Sequence, residues 1–198
     1  MQKISCIVLA GGKSHRLGRD KAFLEIGGTP LIERVTERLK QVGDEVLLVT
    51  NNLEPFAYLQ LPVIKDVHPG QGVLGGLYTG LRTARHQYSL VVACDMPFLD
   101  PKLLRYMVIL APGHDVVIPC VRGMYEPLHA IYSQDCVDPI ERVLAQGKRR
   151  IVDFFPAVRV RYVSEEEVSI LDPQLLSFFN INTPEDLSRA RQLAASGL

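Results

Sequence analysis

The opening stretch from Ile4 to Lys21, reading ISCIVLAGGKSHRLGRDK, constrains this chain more than any other. An apolar run from Ile4 to Leu9 passes through Ala10 into Gly11 and Gly12, then into a polar stretch carrying Lys13, Arg16, Arg19 and Lys21. That order predicts a buried strand ending in a glycine loop, where bare backbone can approach an anion beside basic side chains. It points to a nucleoside triphosphate site. Two familiar phosphate motifs are excluded. A P-loop ending at Gly12-Lys13-Ser14 would need glycine where Ile7 stands. The dinucleotide fingerprint would need glycine at Lys13.

A chain of 198 residues is long enough for one well-buried domain and short for two. Hydrophobic residues make up 47% and charged residues 22%, which argues against disorder. The 22 basic and 22 acidic side chains cancel, so no global charge draws the protein to nucleic acid or an acidic membrane, and any anion site must be local. Cys6, Cys94, Cys120 and Cys136 are widely spaced with no CxxC pair, and core packing is the expected role for three of them. No apolar run reaches spanning length and a strand begins almost at once, so a cytoplasmic protein without a signal peptide is expected.

Along the chain, Thr29 and Pro30 are expected to cap and open a helix through Leu31, Val35, Leu39 and Val42. Strands follow at Glu45 to Thr50 and Pro62 to Lys65. A glycine-rich stretch, Pro69 to Gly76, leads into a helix marked by Leu77, Leu81 and Ala84, with Arg82, Arg85 and His86 crowding its last turn. Ser89 to Cys94 is unbroken apolar, as in a central parallel strand, and Asp100-Pro101 opens a helix through Leu104, Met107 and Ala111. This alternation predicts a doubly wound α/β fold, one domain over 1–198 with a mostly parallel sheet.

The second half departs from the alternation. Two strands, Val116 to Pro119 and Met124 to Tyr132, are expected to join through Arg122-Gly123, giving an antiparallel portion, with Pro127 marking an edge or bulge. A helix to about Gln146, a half-exposed strand through Val158, Val160 and Tyr162, and a final helix opened by Thr183-Pro184-Glu185-Asp186 complete the chain.

Ligands of an open α/β sheet gather beyond the carboxyl ends of its strands. The residues there are Leu9, Ala10, Gly11 and Gly12, with Asn51, Asp66 and Asp95. Asp95, straight after an apolar strand, is placed to hold Mg²⁺ against phosphate oxygens, since Asp100 already serves as the next helix cap. Lys21 and Arg16 have the charge to neutralise a triphosphate but equally suit a solvated loop, while Asp66 and Asn51 stand where a nucleoside would lie, Asn51 fitting a turn as well as a ligand contact. His129 lies in an apolar strand and is expected to be a hydrogen-bonded core histidine. No Ser-His-Asp or Cys-His arrangement is visible.

Leu9-Ala10-Gly11-Gly12-Lys13-Ser14-His15-Arg16-Leu17-Gly18 with Asp20-Lys21 resembles the signature of nucleotidyltransferases that load sugars and cofactors with a nucleoside monophosphate. Cys94-Asp95-Met96-Pro97, Gly147 to Phe155 and Asn180 to Glu185 extend the resemblance to the molybdenum cofactor guanylyltransferases across nearly the whole chain. The resemblance implies a Rossmann-like fold, GTP as co-substrate, Mg²⁺ on Asp95, and molybdopterin or its molybdenum form as acceptor. It implies phosphate-facing roles for Arg16 and Lys21, base space at Gly70, Gly72, Gly75 and Gly76, and acceptor contacts at Arg149, Arg150, Asn180 and Asn182.

Glu126-Pro127-Leu128-His129 departs from the family pattern, where histidine or glutamine often precedes the proline, so no acceptor contact is assigned there. Gly11 and Met96 favour a guanylyltransferase over a cytidylyltransferase of the same cofactor. A sugar-phosphate nucleotidyltransferase is disfavoured by length, and a non-catalytic nucleotide-binding module by the intact Asp95, Lys21 and Arg16. Transient protein partners that deliver the acceptor or receive the product are compatible with this reading.

Overall fold

The structure, a computed structural model, describes residues 2–11 and 20–196. The central strand β1 spans Ile4–Ala10, and every one of its residues is buried. It lies between β4 (Glu45–Thr50) and β6 (Tyr88–Ala93), parallel to both. Alternate residues feed opposite layers, as strand geometry requires. Cys6, Val8 and Ala10 join one core with Ile32, Val35 and Leu39 of α1 (Leu31–Lys40) and Leu103, Leu104 and Met107 of α3 (Pro101–Leu110). Ile7 and Leu9 join the other with Leu74, Leu77 and Leu81 of α2 (Gly72–Thr83) and Ile140 and Val143 of α4 (Val137–Ala145). That two-sided packing is the expected doubly wound arrangement.

Among the described residues the large sheet runs β10-β7-β9-β6-β1-β4-β5, where β5 is Val63–Lys65, β7 Val116–Val121, β9 His129–Ser133 and β10 Val160–Val163. Strand β9 is antiparallel to both β6 and β7, while β10 is parallel to β7, so the sheet is mainly parallel with an antiparallel portion in its second half. Two further helices, the short α5 (Glu165–Ser169) and α6 (Pro184–Ala195), follow β10. Each starts with a reciprocal capping box, from Ser164 and Glu167 and from Thr183 and Asp186. No helix among the described residues is long and apolar enough to cross a membrane.

Several local expectations are corrected. Thr29-Pro30 does not cap α1. It forms the short strand β3 (Thr29–Pro30), paired antiparallel with β2 (Glu25–Ile26), and the helix begins at Leu31 without a side-chain cap. The run from Met124 to Tyr132 is two strands, β8 (Met124–Tyr125) and β9, because Pro127 lacks a ladder donor and Glu126 to His129 closes a turn in which the His129 N–H donates to the Glu126 carbonyl at 3.0 Å. Of the cations expected in the last turn of α2, only Arg82 is helical, donating back to the Tyr78 hydroxyl at 3.1 Å, while Arg85 pairs with Glu45 at 3.1 Å. The four thiols are free, and burial pushes those of Cys6 and Cys136 up to about 12, in keeping with packing roles.

The glycines at the start of α2 split into two physical kinds. A methyl on Gly75 would come within 2.8 Å of the His68 carbonyl oxygen, a backbone atom that cannot yield cheaply. One on Gly76 would meet the Leu9 side chain at 3.5 Å, an ordinary contact. Gly75→Ala should therefore cost about 1–3 kcal/mol through overpacking, outweighing the roughly 1 kcal/mol that alanine gains in a helix. Gly76→Ala should be neutral or stabilising. Urea unfolding of the two variants checks this, and equal midpoints would contradict the packing account.

His129 is wholly buried against the Phe178 ring, 4.5 Å between centroids, but neither ring nitrogen has a hydrogen-bond partner among the described residues, which corrects the expectation of a bonded core histidine. Burial lowers its pKa to about 4, against smaller opposing effects of its own backbone and Asp172. The unfolded chain, titrating near 6.5, then binds the proton first. The stabilisation from the neutral ring is complete above about pH 6.5 and declines toward pH 4, by about 3 kcal/mol. Unfolding measured between pH 7.5 and 4.5 should show a smaller acid loss in His129→Leu than in the wild type; identical losses would exclude His129 as the source.

Candidate active site

Chain directions in the sheet bring the carboxyl ends of β1, β4, β5 and β6 to one edge. Gly11 emerges there, exposed, directly after β1, whose last residues Leu9 and Ala10 are buried and offer the edge only backbone. Asp95 follows β6 on the adjacent strand, held in line by the Cys94 N–H donating to the Leu9 carbonyl at 3.3 Å. The parallel ladder between β1 and β6 thus places Gly11 and the aspartate side by side.

Lys21, ten residues beyond Gly11 in the chain, also reaches this point. Asp20 opens the short helical turn Lys21–Phe23, its carboxylate accepting the Ala22 N–H at 3.1 Å. The Lys21 Nζ then donates to Asp95 Oδ2 at 3.0 Å and to Asn182 Oδ1 at 2.7 Å. Both ionic side chains are mostly shielded, 20% and 16% exposed, so their attraction is less screened than that of a surface pair.

Asn182 arrives through the capping box of α6. The Asp186 carboxylate accepts the N–H groups of Asn182 and Thr183 at 3.0 and 2.9 Å. These bonds, that of Asn182 foremost, hold the Asp186 carboxyl below its ordinary range. The Ile181 N–H donates to the Asp95 carbonyl at 3.1 Å, fastening this loop to the end of β6. The structure therefore unites Lys21, Asp95 and Asn182, three of the residues singled out in the sequence. The Thr-Pro-Glu-Asp pattern signals α6, but nothing in it points to the orienting role of Asp186 toward Asn182.

Other candidates stand apart from this cluster. Asn180 turns its amide onto the Phe178 carbonyl at 3.2 Å. Asn51 is exposed after β4. Asp66, after β5, is buried, and its Oδ1 accepts the His68 N–H and the Thr79 hydroxyl, each at 2.9 Å, tying the turn to α2. Met96 is 1% exposed and packs in the core. Arg149 and Arg150 are exposed in the turn after α4, with Arg150 donating from Nε and Nη2 to Asp153 Oδ1 at 3.2 and 2.8 Å. Gly12 and Arg16, with the rest of 12–19, lie outside the described residues.

The donor set suits a hard cation that arrives with its substrate. No group of three His, Cys, Asp or Glu side chains that could hold a metal occurs among the described residues. Mg²⁺ is commonly held by one or two carboxylates, completed by phosphate oxygens and water. Asp95, with only Oδ2 engaged by Lys21, and the carboxamide oxygen of Asn182 fit that description.

Known proteins resemble this chain along its length. Residues 6–161 match the model of the MobA-like NTP transferase domain. A probable molybdenum cofactor guanylyltransferase of Pelotomaculum thermopropionicum is 43% identical, covering 98% of this chain and 95% of the relative. A molybdenum cofactor guanylyltransferase of Desulfosudis oleivorans is 38% identical, covering 100% and 98%. The crystal structure of molybdopterin-guanine dinucleotide biosynthesis protein A from Archaeoglobus fulgidus superposes with a TM-score of 0.85 at 32% identity, covering 97% of this chain and 99% of that one. With the strand-end cluster and relatives matched along its whole length, the chain belongs to the MobA-like nucleotidyltransferase family, among proteins named molybdenum cofactor guanylyltransferases.

Proposed function

We propose that this protein, acting as one nucleotidyltransferase domain over 1–198, transfers GMP from GTP to the terminal phosphate of molybdopterin or its molybdenum form, releasing pyrophosphate. The observation that carries this reading is the convergence of Lys21, Asp95 and Asn182 beside Gly11 at the sheet's carboxyl edge. Lys21 is the mobile cation of the site, able to pass from Asp95 to the triphosphate. Its point charge suits phosphate oxygens whose positions shift during the reaction. The Gly11 backbone, with Gly12 and Arg16 outside the described residues, completes the triphosphate contact. Asn51 and Asp66 border the nucleoside, and Arg149, Arg150, Asn180 and Asn182 border the acceptor.

Asp95 would hold Mg²⁺ against the triphosphate, where the ion would supply charge neutralisation at the phosphate oxygens. The acceptor needs no general base, since a phosphate monoester with its second pKa near 6 is largely ionised at pH 7. Its oxygen displaces pyrophosphate from the α-phosphorus, forming one P–O bond as another breaks. The chain aligns the two groups and stabilises the charge that develops.

Pyrophosphate release from GTP, CTP and ATP, each with and without molybdopterin, tests the assignment. Release should require the acceptor and be fastest with GTP; preference for CTP or acceptor-independent release would overturn it. Asp95→Asn should abolish the metal-dependent reaction while the fold, followed by circular dichroism, persists. Lys21→Ala should lower kcat/KM by about 10²–10³. Near-normal turnover in either variant would remove that residue from the site.

A further inference from the structure

The nucleotide reading accounts for the edge from β6 through β1 to β5 and leaves its other half, beyond β9, without a ligand. Register fixes what stands there. Val92 of β6 pairs antiparallel with His129 of β9, so Asp95, three residues beyond Val92, and Glu126, three residues before His129, leave the sheet at the same edge. The Glu126 segment is pinned. Its N–H donates to the Pro119 carbonyl at 3.0 Å, its carbonyl accepts from His129 at 3.0 Å, and the Tyr132 hydroxyl donates to the Pro127 carbonyl at 2.7 Å.

On this rigid support the Glu126 side chain is partly buried and makes no hydrogen bond with the described residues. Burial raises its pKa, opposed by Arg122 in the adjoining hairpin. Partial burial of a carboxylate is costly unless N–H donors meet it. Three residues on, His129 carries two buried ring nitrogens without partners among the described residues, so the segment holds more hydrogen-bonding capacity than the described chain uses.

We propose that Glu126 is a specificity-determining residue for the acceptor, its carboxylate taking the paired N–H groups of a 2-amino-4-oxopyrimidine edge, here that of the pterin ring. This rests on the proposed guanylyl transfer. Guanine carries the same donor pair, but Gly11, Asn51 and Asp66 lie on the β1, β4 and β5 side of Asp95, whereas Glu126 lies on the β9 side. In-line displacement brings the acceptor to the α-phosphorus from the side opposite pyrophosphate, and Glu126 would fix the acceptor's ring while its phosphate oxygen reacts.

Steady-state kinetics of Glu126→Gln, which keeps the shape and replaces one acceptor oxygen by a donor, tests this. The KM for molybdopterin should rise about 10- to 100-fold, the loss expected for a hydrogen bond to a charged group, with kcat and the KM for GTP within twofold of wild type. An unchanged molybdopterin KM, or a rise in the GTP KM instead, overturns the assignment; the latter would mean that Glu126 reads guanine. Fluorescence titration with 2-amino-4-oxopteridine separates this proposal from the reaction itself. Weaker binding to Glu126→Gln than to wild type supports the proposal even if no GMP transfer occurs, and equal binding contradicts it.

Discussion

Because both faces of β1 are buried, none of its side chains faces solvent, and polar chemistry on this strand is displaced to its ends. The exception inside the strand, Ser5, is satisfied by the Glu45 carboxylate at 2.7 Å and the His86 N–H at 3.3 Å, as a buried hydroxyl must be. At the carboxyl end the chain emerges at Gly11 beside Asp95, because the β1/β6 ladder is parallel and continues through Cys94. The site is a consequence of that burial.

At that end, Lys21 joins three segments remote in sequence: the turn after the glycine loop, the end of β6 and the loop before α6. The Lys21 ammonium is balanced by Asp95 and oriented by Asn182. A triphosphate arriving at Gly11 would compete for the lysine and leave the Asp95 carboxylate open to a cation. The pair holds two opposite charges 3.0 Å apart, and the capping box of α6 keeps Asn182 in place through Asp186.

Much of this was legible in the sequence where one physical signal dominated. The unbroken apolar runs gave β1 and β6, and the capping patterns at Asp100 and Thr183 gave the starts of α3 and α6. Asp95 was readable because a carboxylate straight after such a run stands at the ligand edge. Its partnership with Asn182 through Lys21 was not, since it depends on tertiary folding across 161 residues. Local propensity misled where tertiary pairing overrode it: Thr29-Pro30 has a helix-start composition but is drawn into a strand pair with Glu25-Ile26. Glycine at 75 answers to packing, since a carbonyl oxygen occupies the space a side chain there would need. Asp66 looked free at a strand end, yet one carboxylate oxygen is committed to a turn that composition does not reveal.

The central claim is that Lys21 and Asp95 exchange each other for the triphosphate and its cation. Crystals grown with a non-hydrolysable GTP analogue and Mg²⁺ test it most directly. The account predicts the Lys21 Nζ on phosphate oxygens and an Asp95 oxygen about 2.1 Å from the cation. A nucleotide bound elsewhere, with the Lys21–Asp95 pair intact, would contradict it.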